Sequence, residues 1–238
     1  MKRSLFASTL LLSFAACSNT GTLDPGSGSD PGTGTNTLTV NGTVSAQAQL
    51  TNARNAGEFT TNFSVRIQLA GQDVTDGNVT MTSSTGTVVL TYMQQNNGRW
   101  RGTAAGYDEV YVLDIDRGTD NVHDVRVDGP VIHTFTDPLA GATVDATMPL
   151  LIKWAGGHGA DSAALSADNI DALSIPDSGS YSLAGGTLRS SKDQSRQNDL
   201  RLTRTNRVTP AGAAGGSELA VSIENDISVV AQPNPLAP

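Results

Sequence analysis

From residue 37 onward, apolar side chains recur at every second position instead of at helical spacing. In "FSVRIQLAG", Phe63, Val65, Ile67 and Leu69 fall on one face and Ser64, Arg66 and Gln68 on the other, the pattern of a half-buried strand. The same alternation runs through "NVTMTS" (Val79, Met81), "TVVLTYM" (Val88, Leu90, Tyr92) and "HDVRV" (Val125, Val127). In "EVYVLDI" either Val110 and Val112 or Tyr111, Leu113 and Ile115 form the inward set. Turn signals such as "TDGN" at 75 to 78 and "QNNGR" at 95 to 99 separate these runs. No long helical period intervenes, so the chain reads as all-β, a sandwich of short antiparallel strands.

A break falls at "DGPVIHTFTDPLAGATV", where Pro130 and Pro138 bracket a short extended piece. Beyond it, "TMPLLIKWAG" presents Leu150, Ile152 and Trp154 on one face and "LRLTRT" presents Leu200 and Leu202. "ELAVSIENDISVV" presents Leu219, Val221 and Ile223, and is expected to turn at "END" into Ile227 and Val229. Roughly 100 residues suffice for one sandwich, so the length predicts two, at 37–131 and 132–231, followed by a Pro-rich tail at 232–238.

The first 16 residues have another character. Lys2 and Arg3 precede the uncharged run "SLFASTLLLSFAA", and two alanines stand before Cys17. That order of basic, apolar and small residues is a signal peptide, too short to span a bilayer. Two readings of Cys17 follow: an incidental thiol behind an ordinary cleavage site, or an anchor. Phe14-Ala15-Ala16-Cys17 resembles the bacterial lipobox, with Phe14 where Leu is usual. The resemblance implies that Cys17 is acylated, and Ser18 after it implies the outer membrane of a Gram-negative envelope. Residues 17–36, rich in Gly, Ser, Thr, Pro and Asp with Leu23 the only large apolar side chain, then read as a flexible stalk.

Charge narrows the partners. Removing Lys2 and Arg3 with the signal takes the basic count from 15 to 13 against 23 acids, a net of −10. Phosphate binding needs clustered Lys and Arg, so nucleic acid is not an expected partner. With Cys17 the single cysteine, no intramolecular disulfide or Cys-based metal site can form. His123, His133 and His158 stand in no H-E-x-x-H pattern, there is no G-x-S-x-G elbow, and "SSKD" does not make S-x-x-K. Only a triad assembled in space would make the chain an unrecognised hydrolase.

Three candidate sites remain. "DIDRGTDNVHD" carries Asp114, Asp116, Asp120 and Asp124, hard oxygen donors of the kind Ca2+ takes. It departs from the EF-hand pattern, because Gly118 holds the fifth position and the twelfth-position Glu is missing; the plain alternative is a solvated hairpin turn. Trp100, in "NNGRWRGT", is the candidate sugar platform, weighed against core packing or stacking with Arg99 and Arg101. "TPAGAAGGSEL" lacks the ending of a phosphate loop and is expected to be a mobile hairpin loop.

"DSGSYSL", residues 177 to 183, resembles the Asp-x-Gly-x-Tyr-x-Cys stretch of immunoglobulin domains, with Leu183 in place of the Cys. Together with "DPLAGATVDATMPLLIKW" it is also similar to the Ig-like domain of the yeast cell-wall Ser/Thr-rich family. The resemblance implies an Ig-like sandwich in which Trp154 packs the core and Tyr181 forms a corner. The first half resembles bacterial Ig-like or carboxypeptidase-regulatory-like modules in general terms only. Taken together, the expectation is a lipid-anchored envelope protein of two Ig-like sandwiches, without enzymatic activity or an obligatory cofactor. It would meet the membrane through its lipid and bind an envelope protein or a glycan. The runner-up is a glycan-binding or calcium-stiffened adhesion module.

Overall fold

The computed structural model describes residues 23–156 and 159–235. Eighteen strands follow in chain order, beginning with β1 (Thr33–Gly34), β2 (Leu38–Ala48), β3 (Phe59–Leu69), β4 (Gln72–Asp73), β5 (Asn78–Ser83) and β6 (Gly86–Val89). Next come β7 (Thr91–Met93), β8 (Arg99–Ala105), β9 (Val110–Arg117), β10 (Asp120–Asp128), β11 (Thr134–Asp137) and β12 (Thr143–Val144). The last six are β13 (Leu150–Ala155), β14 (Ser162–Ala167), β15 (Ile170–Ile175), β16 (Ser180–Leu183), β17 (Arg196–Val208) and β18 (Glu218–Ala231).

The fold is an all-β sandwich in which one large sheet backs two smaller ones. The large sheet runs β15-β14-β17-β18-β2-β3-β8-β7, with β12 and β4 attached off that path. A five-stranded sheet, β1-β10-β9-β5-β6, covers its first half, and a three-stranded sheet, β11-β13-β16, covers its second. Pairing is antiparallel except where β18 lies parallel to β2 and to β12. The β18–β2 seam joins the halves on either side of residue 132 into one sheet.

Alternation places the side chains as expected in most strands. Phe63, Val65, Ile67, Val79, Met81, Val125 and Val127 are buried, and on β9 the inward set is Tyr111, Leu113 and Ile115. Ile152, Trp154, Leu200 and Leu202 fill a second core with Phe135, Leu165 and Leu183. The run "TVVLTYM" is not one strand: it crosses at Leu90 from the five-stranded sheet into the large one.

The expected turn at "END" is also absent, because β18 continues straight for 14 residues. Leu219, Val221 and Ile223 enter the first core, and Ile227 and Val229 the second. Asn225 keeps the inward phase between them at 0% exposure. A polar residue in that phase marks the boundary between two cores, where its amide meets backbone groups that apolar side chains would leave unsatisfied.

Residues 23 to 36, the described part of the expected stalk, run from the waist between the two cores along β10. The Asp30 N–H donates to the Arg126 carbonyl at 3.0 Å and the return bond is 2.9 Å. Thr33 and Gly34 pair with His123 and Val122. The same segment closes on the Gly-rich loop between β17 and β18. Ala211 N–H donates to Pro31 O at 2.8 Å, Asn36 N–H to Gly212 O at 2.9 Å, and Ala214 N–H to Leu38 O at 2.7 Å. That loop is therefore pinned, and neither a free hairpin tip nor an anion cradle. Cys17, the signal peptide and His158 lie outside the described residues.

Candidate functional site

The chemistry-bearing groups gather where the two cores meet, at a waist crossed by β17 and β18. Arg204 continues the inward phase of Leu200 and Leu202, and its side chain is 1% exposed. Its Nε and Nη2 donate to the two Asp177 oxygens at 2.9 and 2.7 Å, a bidentate pair. Its Nη1 donates to the carbonyls of Val131 and Gly156 at 2.9 and 2.8 Å. Asp177 also accepts from Ala160 N–H at 2.9 Å. Burial pushes the Asp177 carboxyl up, but the Arg204 guanidinium and the Ala160 N–H outweigh it and hold the group below its ordinary value. The Trp154 indole N–H adds to that field from nearby without closing a hydrogen bond.

His133 is fully buried beside this pair. Its Nε2 lies 3.0 Å from the Leu202 carbonyl, which can only accept, so Nε2 carries the proton and Nδ1 is the bare acceptor. Nδ1 has no hydrogen-bond partner among the described residues. Burial, then the Arg204 charge, lowers the imidazole pKa to about 4, leaving a neutral ring at physiological pH.

Amides lock the halves together around these groups. Asn225 donates to the carbonyls of Ala53 and His133 at 2.8 and 2.7 Å and accepts from Ala53 N–H at 2.9 Å. Asn52 exchanges two bonds with the Phe135 backbone at 3.0 and 2.7 Å, and Asn206 donates to the Asp128 carbonyl at 2.8 Å. A cleft of about 200 Å³ opens beside the waist, with Glu109, Asp128, Val131, Arg204 and Asn206 in its wall. Burial and the neighbouring Asp128 charge raise the Glu109 carboxyl, against one lowering bond from the Ile132 N–H. Asp177 and carbonyl oxygens occupy the guanidinium, and no Ser or Cys lines the cleft among the described residues, so the arrangement is suited to holding backbone in place.

The residues singled out from sequence lie elsewhere. Asp114 accepts from the Asp124 N–H at 2.9 Å, closing a β-bulge in which Asp124 takes φ 57°, and sits 3.5 Å from His123 Nδ1. Asp116 caps the Gly118 N–H at 3.0 Å, and Asp120 pairs with Arg117 at 3.3 Å. The four carboxylates do not converge, and no group of three His, Cys, Asp or Glu suited to a metal occurs among the described residues. The carboxylates of Asp114, Asp116 and Asp120 and the backbone of Asp124 are used in building the β9–β10 hairpin, as the plain hairpin reading has it.

Trp100 is no platform. It is 5% exposed, packs edge-on to Tyr92 with ring centroids 5.8 Å apart, and donates its indole N–H to Val74 O at 3.0 Å. Of the two alternatives to a platform, core packing holds; strand alternation puts Arg99 and Arg101 on the opposite face, so neither stacks on the ring. Leu183 faces the second core, and Tyr181 is half-buried against it. Two other tyrosine hydroxyls tie loops to backbone: Tyr107 donates to Pro130 O at 2.7 Å and Tyr111 accepts from the Asp108 N–H at 2.9 Å.

The waist was not anticipated from sequence, although a signal existed: Arg204 continues the phase of Leu200 and Leu202, and Asn225 stands in phase between Ile223 and Ile227. On its other face the large sheet is polar. Thr103, Asn62, Ser45, Ser222, Thr205 and Ser162 stand in one register row across six strands.

No protein-family model matches the chain, and no curated protein matches it. Among solved structures, a chain titled "Biofilm associated protein - BSP domain" is 13% identical over 84% of this chain, with a TM-score of 0.22. The match covers 30% of that chain's length, and a superposition at that score carries no argument about fold or role.

Proposed function

We propose that this is a lipid-anchored protein of a Gram-negative cell envelope, acting as a non-enzymatic interaction or structural module. The observation that carries the reading is Phe14-Ala15-Ala16-Cys17 behind a basic start and an uncharged apolar run. More than one acyl chain is needed for lasting membrane residence, and the lipobox resemblance implies a multiply acylated N-terminus. Two features of the fold support a passive role. The buried polar groups of the waist are bonded mainly to backbone, and the broad sheet face offers hydroxyls and amides interspersed with Arg, Glu and Asp side chains to a polar partner. This reading is favoured over glycan stacking by the burial of Trp100 in the core, and over calcium stiffening by the hairpin hydrogen bonds of Asp114, Asp116 and Asp120, three of the four proposed carboxylates.

The test is the intact mass and membrane partitioning of the native chain against Cys17→Ala. Acyl mass and membrane pelleting in the native chain, with a soluble variant, are expected. Two soluble proteins cut near Ala16 would overturn the anchor.

A further inference from the structure

The segment that sequence composition assigns to a stalk is a docked strap. Asp128 Oδ2 accepts from the backbone N–H of Gly26 and Gly28 at 3.1 and 3.0 Å, while its Oδ1 is bound by Arg126 Nε at 2.9 Å. Arg126 also donates to the Asp24 carbonyl, and the Asp128 N–H donates to Ser29 Oγ at 3.1 Å. Arg126 and Asp128 are only 14% and 15% exposed at this seam. Two glycines of the strap permit close approaches. A Cβ on Gly32 would meet the His123 carbonyl at 2.3 Å, and one on Gly34 would meet the Gly212 carbonyl at 2.5 Å.

The strap begins at the waist. Leu23 and Pro25 lie among Tyr107, Glu109 and Ile132, and Pro25 and Gly26 border Val131 and Arg204. From there it runs along β10 toward the far end of the first sandwich, where β1 gives way to β2. Only residues 18 to 22 therefore separate Cys17 from the body.

We infer that the strap fixes how the anchored chain sits: a five-residue tether leaves the body at its waist, so the body lies along the lipid surface instead of standing off on a stalk. This rests on the anchoring reading proposed above. The magnitudes decide it. From Cys17 to Leu23 is six Cα steps, a reach of about 20 Å, whereas the whole segment to Thr37 would reach about 70 Å. From Asn225 at the waist, β18 extends seven residues one way to Glu218 and six the other way to Ala231. Each arm is roughly 20 Å long before its loops are added. The tether is thus spent before it passes either tip, and an end-on stance is out of reach. Asp24, Glu109 and Asp128 make the exit acidic, so the hold comes from acyl chains and a short leash and not from attraction to anionic headgroups.

The experiment uses the full acylated chain in phosphatidylethanolamine and phosphatidylglycerol vesicles carrying a lipid-borne acceptor dye. Donors are placed singly at Gln72→Cys, on the tip of the first sandwich, and at exposed Ser195→Cys, just before β17 on the tip of the second. Similar energy transfer from both tips is expected. Inserting on the order of 15 Gly/Ser residues between Thr22 and Leu23 restores roughly 70 Å of reach without touching the fold, and transfer from both tips should then fall. One tip near and the other far in an acylated chain, or no response to the insertion, overturns the inference while the anchor stands. Absence of acyl mass overturns the anchoring reading, and this inference with it. Exchange of the Gly26 and Gly28 amides at free-chain rates overturns the docked strap itself.

Discussion

Arg204 and Asp177 are two charges that water scarcely reaches, 1% and 5% exposed, and each depends on the other for a counter-ion. Removing one partner of such a pair costs about 3 to 5 kcal/mol, because the remaining charge is left buried and uncompensated. Arg204→Met should lower unfolding stability by that amount in urea titrations. Arg204→Met combined with Asp177→Leu should recover at least half of it; equal losses would mean that packing, and not charge, carries the effect. His133 makes a separate contribution to acid sensitivity. Its folded pKa, about 4, lies below the model-compound value of 6.5, so the folded state prefers the neutral ring. The associated stability is fully present above pH 6.5 and is lost as pH falls toward 4, by on the order of 2 to 3 kcal/mol. Asp177, also depressed, acts in the same sense at lower pH, since its contribution is lost as pH falls through its folded pKa. His133→Gln keeps a donor for the Leu202 carbonyl and cannot titrate. Its stability between pH 4 and 6.5 should be flatter than that of the native chain, and an unchanged slope would rule His133 out as the source.

At the scale of elements, strand alternation made most of the fold legible, and it failed where an element does two jobs. The sequence of Glu224, Asn225 and Asp226 looks like a turn within β18, yet period two runs unbroken from Leu219 through Asn225 to Val229. Only the tertiary position of Ala53 and His133 explains why an amide belongs there. Trp100 was readable as core from the same period, which separates it from Arg99 and Arg101. The carboxylates of the β9–β10 hairpin were visible as a cluster in sequence, but their hydrogen-bond partners depend on bulge geometry that spacing does not reveal. The strap was missed for another reason: it docks through backbone bonds and glycine contacts, which hydrophobic bookkeeping does not count. That contact is testable at Gly212, where a Cβ would come within 2.0 Å of Gly34 N. Backbone against backbone has no flexible side chain to yield, so Gly212→Ala should cost about 1 to 3 kcal/mol. It should also speed amide exchange at Asn36 and Ala214, whereas Gly215→Ala, with nothing within 4 Å of its Cβ, should leave both unchanged.

Across the whole molecule, two cores share three connections that a linker between independent domains would not provide. β18 feeds both cores, β17 runs beside it for 13 residues, and Asn52, Asn206 and Asn225 bond groups from one half to the other. Independent sandwiches would unfold in separate steps, each with its own enthalpy, because neither would expose the other's surface on melting. Here the loss of either core strips β18 of half its buried side chains and opens the waist, where Arg204 would lose Val131 and Asn225 would lose Ala53, partners held by the other half. The halves should therefore melt together. Scanning calorimetry of the chain from residue 23 onward is expected to show one transition with equal calorimetric and van't Hoff enthalpies. Ile227→Ala in the second core should lower that single midpoint without splitting it, and tryptophan signals from Trp100 and Trp154 should report the same temperature. Two resolved transitions, or an Ile227→Ala effect confined to the Trp154 signal, would mean that the shared strand does not couple the cores.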